Sequence, residues 1–133
     1  MLVYLDINIV VDFFNPARVQ HQVSVDLINN IINNNDQIVI SEDMLSTIFY
    51  LSNNKHETLK NFQIILDEWM ILPFGKDVIK NSINLSLEKN LDLEDVLQCL
   101  CAKKNNCDVL ITSDRYFYNC GVKIQTASEF LND

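Results

Sequence analysis

Leu2-Val3-Tyr4-Leu5-Asp6 opens the chain, and Val109-Leu110-Ile111-Thr112-Ser113-Asp114 repeats its pattern near the other end: a short apolar run, then an aspartate. Runs of this length, without helical spacing, read as buried strands. Between them the apolar period changes. A short helix after the first strand stops before Pro16, because the residue preceding proline avoids helical geometry. Val23, Val25, Leu27, Ile28, Ile31 and Ile32 then form a mainly helical stripe ending in Asn33-Asn34-Asn35. Gln37 to Ile40 reads as a second strand, and Ser41 as the N-cap of a helix marked by Met44, Leu45, Ile48, Phe49 and Leu51. From His56 to Met70, residues Leu59, Phe62, Ile65, Leu66 and Trp69 recur at helical spacing. Ile71-Leu72-Pro73 is a brief extended segment. Further helices run from Asp77 to Glu88 and from near Asp92. Val122 to Gln125 is a short strand, and Thr126 with Glu129 makes a capping box for a last helix. This alternation predicts one α/β domain over residues 1–133, three layers deep, α/β/α, around a four- or five-stranded parallel sheet.

The composition narrows the class. The chain has 133 residues, enough to bury a core without disulfides or a structural metal. Its apolar runs are far shorter than the roughly 20 residues a membrane span needs. No basic, signal-type start precedes the first strand, so a cytoplasmic protein is expected. Cys99, Cys101, Cys107 and Cys120 contain no C-x-x-C pair, and reduced, buried thiols are the expectation. His21 and His56 stand alone, which leaves a Cys/His zinc site without support. Gly75 and Gly121 are the only glycines, and no Gly-rich dinucleotide loop exists. A net charge of −8 opposes broad attraction to phosphates. An acid on nucleic acid therefore needs metal ions or a local basic patch.

The acids fall in a pattern. Asp6 follows the first strand, Asp114 follows Val109–Thr112 after only Ser113, and Asp92 and Asp95 share one face of a helix start. In a parallel α/β sheet, ligands bind beyond the carboxyl ends of the strands. Parallel strands put Asp6 and Asp114 at that edge together. Clustered carboxylates repel one another unless a cation intervenes, and an oxygen-only set selects Mg²⁺ or Mn²⁺. Each acid also has a structural reading: Asp6 as a helix cap, Asp92, Glu94 and Asp95 as partners of a helix dipole, Asp114 as a turn residue. Joint placement at equivalent strand ends is the specific signal.

With these segments in order, the sequence resembles the PIN-domain family, and within it the VapC-type toxins of bacterial toxin–antitoxin pairs. Leu5-Asp6-Ile7-Asn8-Ile9-Val10-Val11-Asp12 resembles the family's L-D-T-N opening. Ser41 to Leu51 resembles its second helix. Asp92-Leu93-Glu94-Asp95-Val96-Leu97-Gln98 resembles its D-x-x-D-A-x-Q helix start, and Leu110 to Asp114 its strand ending in T-x-D. Thr126 to Leu131 resembles the closing T-P-E-E-F-L. The resemblance implies a PIN-like fold and a nuclease that cuts RNA with water, leaving a 3′-hydroxyl. It implies Asp6, Asp95 and Asp114 as catalytic metal ligands, direct or through water. Asn8 would orient Asp6 or the substrate, Asp92 would stand behind the ligands, and Thr112 and Ser113 would hold water through their hydroxyls.

Two positions depart from the family. Ile7 replaces the usual threonine, and Thr47 stands where the middle helix normally carries glutamate. Asp43 lies four residues earlier on the same helical face, with Glu42 beside it. Arg115 is the candidate phosphate contact, since its fork matches phosphate oxygens, and Tyr116, Phe117 and Tyr118 are candidates for stacking on bases. The partners implied are an RNA substrate, a cognate antitoxin and a second copy of the chain. The competing reading is a catalytically inactive PIN-like module that binds RNA or protein. A phosphoacceptor signalling domain fits poorly: Asp6 has no acidic neighbour before Asp12, and Lys123 lies inside its strand.

Overall fold

The computed structural model describes residues 1–133. Five strands, β1 (Leu2–Leu5), β2 (Gln37–Ser41), β3 (Met70–Leu72), β4 (Val109–Ile111) and β5 (Lys123–Gln125), form one sheet in the order β3-β2-β1-β4-β5. Every pairing is parallel. Around it stand α1 (Ile7–Phe14), α2 (His21–Asn33), α3 (Asp43–Leu51), α4 (Lys55–Glu68), α5 (Gly75–Lys89), α6 (Leu93–Lys104) and α7 (Ala127–Leu131). The three-layer α/β/α architecture expected from the alternating pattern is the one observed, with five strands. The chain steps outward from β1 to β2 to β3, then returns across the sheet through α5 and α6 to place β4 on the other side of β1. Right-handed crossovers put these two sets of helices on opposite faces.

β1 and β4 are central and bury nearly every side chain, which is why they read as continuous apolar runs. They belong to a core of 26 buried residues with β2, α1, α2 and α6. Asparagine takes the glycine role at three helix exits: Asn35, Asn90 and Asn106 have φ of 60°, 53° and 56°, left-handed values that asparagine tolerates better than most residues. The Thr126–Glu129 capping box forms in both directions, each bond 3.1 Å.

Three details differ from the sequence reading. Ser41 is not a helix cap; it is the last residue of β2, paired with Leu72 of β3, and Glu42 takes the cap position without a side-chain bond. Serine suits both places, and the neighbouring strand decides between them. The helix read as reaching Met70 ends at Glu68, because Met70 pairs with Val39 of β2. Finally, Cys99 and Cys120 are joined by a disulfide, while Cys101 and Cys107 are the free, buried thiols. The Cα atoms of Cys99 and Cys120 lie 6.0 Å apart, a separation that a disulfide spans without backbone movement. The expectation of four reduced cysteines fails because α6 passes beside the loop that leads into β5.

That bond closes a loop across a sequence separation of 21 residues. Constraining the unfolded chain this way contributes about 3 kcal/mol. Dithiothreitol is therefore expected to lower the urea midpoint, with Cys99→Ser giving the same lowered value in oxidant or reductant. A midpoint indifferent to reductant would contradict the pairing.

Candidate active site

The order of the strands reverses between β1 and β4, and the acids gather there. Backbone pairing continues one residue past β1, since Asp6 N–H donates to the Ile111 carbonyl at 2.9 Å. This sets Asp6 beside Thr112, whose own N–H is held by the Gln125 carbonyl of β5 at 3.0 Å. The Thr112 hydroxyl donates to Asp6 Oδ2 at 2.8 Å, and Ile7 N–H donates to Asp6 Oδ1 at 2.9 Å. Asp114 N–H in turn donates to Thr112 Oγ1 at 3.1 Å. Asp114 Oδ1 accepts from Tyr116 N–H at 2.8 Å, the short-range turn that aspartate favours. Asp6 and Thr112 are almost wholly buried, with 4% and 2% of their surfaces exposed.

The third acid comes from the opposite layer. Asp92 caps α6, accepting from Asp95 N–H at 3.2 Å. Asp95 sits in that first turn, half-buried. Burial pushes its carboxyl up to about 6, and the nearby charges of Asp92, Asp6, Asp114 and Glu94 push the same way. Asp6 is raised too, chiefly by burial and further by Asp114, against the lowering effect of its bonds from Thr112 and Ile7. The cap, dipole and turn readings of these residues hold alongside the cluster, since the local bonds are what aim the carboxylates.

The remaining candidates divide. Asp43 Oδ1 is buried and has no hydrogen-bond partner. Thr47 is exposed, and its hydroxyl turns back to the Asp43 carbonyl at 3.5 Å. Asn8 and Ser113 are exposed and make no side-chain bond to Asp6, whose orientation comes from Thr112 and Ile7. Arg115 is exposed beside Asp114. Phe117 is buried in the core rather than offered for stacking, whereas Tyr116 is 91% exposed. The sequence reading gave Gln98 and Tyr4 no role and took Ser41 for a helix cap; the three form a buried polar group under the acids, with Gln98 Oε1 accepting from the Tyr4 and Ser41 hydroxyls. Gln98 Nε2 donates to Glu94 Oε1 at 2.9 Å, a contact that the i, i+4 spacing contained.

An all-oxygen donor set with an unpartnered buried carboxylate oxygen suits a hard divalent cation. No three acidic, histidine or cysteine side chains are close enough together to hold an ion by themselves. The fit is therefore to a hydrated ion, held by the carboxylates in part through water, since Mg²⁺ usually keeps several of its waters. A pronounced groove lies elsewhere. It measures 860 Å³, runs between α1, α2, α3 and α4, and is lined by none of Asp6, Asp95 and Asp114.

The raised Asp95 carboxyl has a consequence for the metal-free protein. Its folded-state value of about 6 exceeds the roughly 4 of an unfolded aspartate, so the folded state holds the proton more tightly. This contribution is complete below about pH 4 and is lost as pH rises through about 6. In chelator, the wild-type melting midpoint should fall over that window relative to Asp95→Asn. A difference between the two that is independent of pH would contradict the arrangement.

Comparison with known proteins identifies the family. The PIN domain family model matches residues 3–123. Ribonuclease VapC1 of Aquifex aeolicus is 33% identical over 132 residues, covering 96% of this chain and 92% of its own. Among solved structures, VapBC2 of Rickettsia felis, crystallised with a DNA fragment from its promoter, aligns with a TM-score of 0.72 at 19% identity, over 95% of this chain and 98% of that one. A toxin–antitoxin complex of Klebsiella pneumoniae gives 0.70 at 19% identity, over 94% and 97%. VapC20 of Mycobacterium tuberculosis, a toxin that cleaves the sarcin-ricin loop, gives 0.67 at 12% identity, over 86% and 92%. With the fold, the order of its motifs and the family match in agreement, this chain belongs to the PIN-domain family, and within it is similar to the VapC-type ribonucleases.

Proposed function

We propose that the chain is a Mg²⁺- or Mn²⁺-dependent endoribonuclease that hydrolyses RNA phosphodiester bonds, and that it is the toxin of a toxin–antitoxin pair. The observation that carries this reading is the linking of Asp6 and Asp114 through the Thr112 hydroxyl where β1 and β4 end, with Asp95 near enough for the charges of both to push its carboxyl up. Relatives named as ribonucleases and toxins support it.

Asp6, Asp95 and Asp114 would hold the ion, with Asp92 behind them fixing the start of α6. When bound, a divalent cation supplies positive charge beside a phosphate and eases deprotonation of water. That charge is what a protein of net charge −8 lacks. The Thr112 hydroxyl keeps Asp6 turned toward the site and, through the Asp114 N–H, fixes the first step of the following turn. Ser113 and Arg115 are open to solvent on that turn, where Arg115 can meet a phosphate of the RNA. Tyr116 is free to stack on an unpaired base.

The antitoxin reading rests on two surfaces. The groove between α1 and α4 presents Phe14, Ile32, Ile64 and Trp69 to an apolar segment. The acid site suits a basic side chain carried by the same partner. Two solved neighbours are toxin–antitoxin complexes.

Cleavage of single-stranded RNA with a fluorescent label is the test. Wild type should cut in Mn²⁺ or Mg²⁺ and stop in chelator, and Asp95→Asn should be slower by at least about 100-fold. RNA binding with no cleavage in either metal would instead establish the catalytically inactive module.

A further inference from the structure

The family's middle-helix acid is missing at Thr47, and α6 carries a further acid beside Asp95. Glu94 occupies the second position of α6, between the cap Asp92 and the ligand candidate Asp95. A carboxylate there has an ordinary explanation in the helix dipole. Its surroundings go further. Gln98, one turn later, is fully buried and reaches back to donate to Glu94 Oε1 at 2.9 Å. The orientation of the Gln98 amide is set from below: its oxygen accepts from the hydroxyls of Tyr4 on β1 and Ser41 on β2. Burial pushes the Tyr4 hydroxyl far up from its ordinary value, so it stays a donor. With the oxygen engaged twice, the amide NH₂ must face Glu94, and a flipped amide would set an oxygen against a carboxylate.

Burial is the main push upward on the Glu94 carboxyl, and neighbouring negative charge adds to it. Asp43, Asp6 and Asp92 all act on it, from α3, the end of β1 and the α6 cap respectively. Asp43 contributes the unpartnered buried oxygen. Thr47, the family's position for the acid, is exposed and bonded only to its own helix. Glu94 itself is exposed to solvent, as a ligand for a hydrated ion must be.

We propose that Glu94 is the fourth carboxylate of this site, aimed at a hydrated divalent cation by the buried Tyr4–Ser41–Gln98 group, and that it does the work left undone by Thr47. Gln98 is a positioning residue that acts through Glu94. The inference rests on the nuclease reading above, since it names a further residue of the same site.

The dissociation constant of Mn²⁺, read from the loss of the free-ion electron paramagnetic resonance signal, separates the two. Glu94→Gln keeps an oxygen to accept the Gln98 bond and removes the charge, so it tests the carboxylate with little disturbance of the fold. It should weaken Mn²⁺ binding at least about 10-fold, and Gln98→Met should weaken it by about 10-fold. If Gln98 acts through Glu94, the double variant binds no more weakly than Glu94→Gln alone; independent sites would add. Glu88→Gln, exposed on α5, controls for net charge and should match wild type. Wild-type binding with Glu94→Gln unchanged overturns this inference and leaves the nuclease reading standing. No Mn²⁺ binding by wild type overturns both.

Discussion

One threonine hydroxyl ties the two halves of the site together. Thr112 Oγ1 gives its proton to Asp6 at the end of β1 and takes one from the Asp114 backbone on its own strand, at 2.8 and 3.1 Å. The contact joins residues 106 positions apart. It exists only because β4 has come back to lie beside β1. The crossover through α5 and α6 makes that return possible, and it also delivers the α6 acids to the same edge. The topology thereby does what no local sequence can: it brings three separate aspartates into one electrostatic field.

Holding carboxylates together has a physical cost, visible in the metal-free protein as the upward push on Asp6, Glu94 and Asp95. Burial is the first cause at each, with neighbouring negative charge behind it. The fold answers with donors placed under the acids: Thr112 and the Ile7 N–H for Asp6, and Gln98 for Glu94. In the proposed mechanism a divalent cation would complete the compensation.

Much of this was legible in the sequence, for identifiable reasons. β1 and β4 bury all or nearly all of their side chains and so appear as unbroken apolar runs, each followed by its aspartate. Asp92 and Asp95 announce a helix start, and the Thr126 capping box forms as written. Other features were illegible because they depend on what lies across the sheet. Ser41 looks like a cap until β3 pairs beside it. Cys99 and Cys120 look like unrelated thiols until α6 meets the loop before β5. Glu94 looks like a dipole partner until Gln98, Tyr4 and Ser41 are seen beneath it. Asp43 was within view as a neighbour of the missing acid, but only the folded chain shows its buried, unpartnered oxygen.

The account stands on a cation relieving carboxylate repulsion at the end of β1 and β4. The most direct measurement is the thermal midpoint of metal-stripped protein with and without Mn²⁺, for wild type and Asp95→Asn together. A ligand that binds only the folded state stabilises it by about 2.7 kcal/mol at a hundredfold excess over its dissociation constant. The account predicts a clear rise for wild type that is lost or much reduced in Asp95→Asn. A wild-type midpoint unmoved by millimolar Mn²⁺ or Mg²⁺ would contradict it.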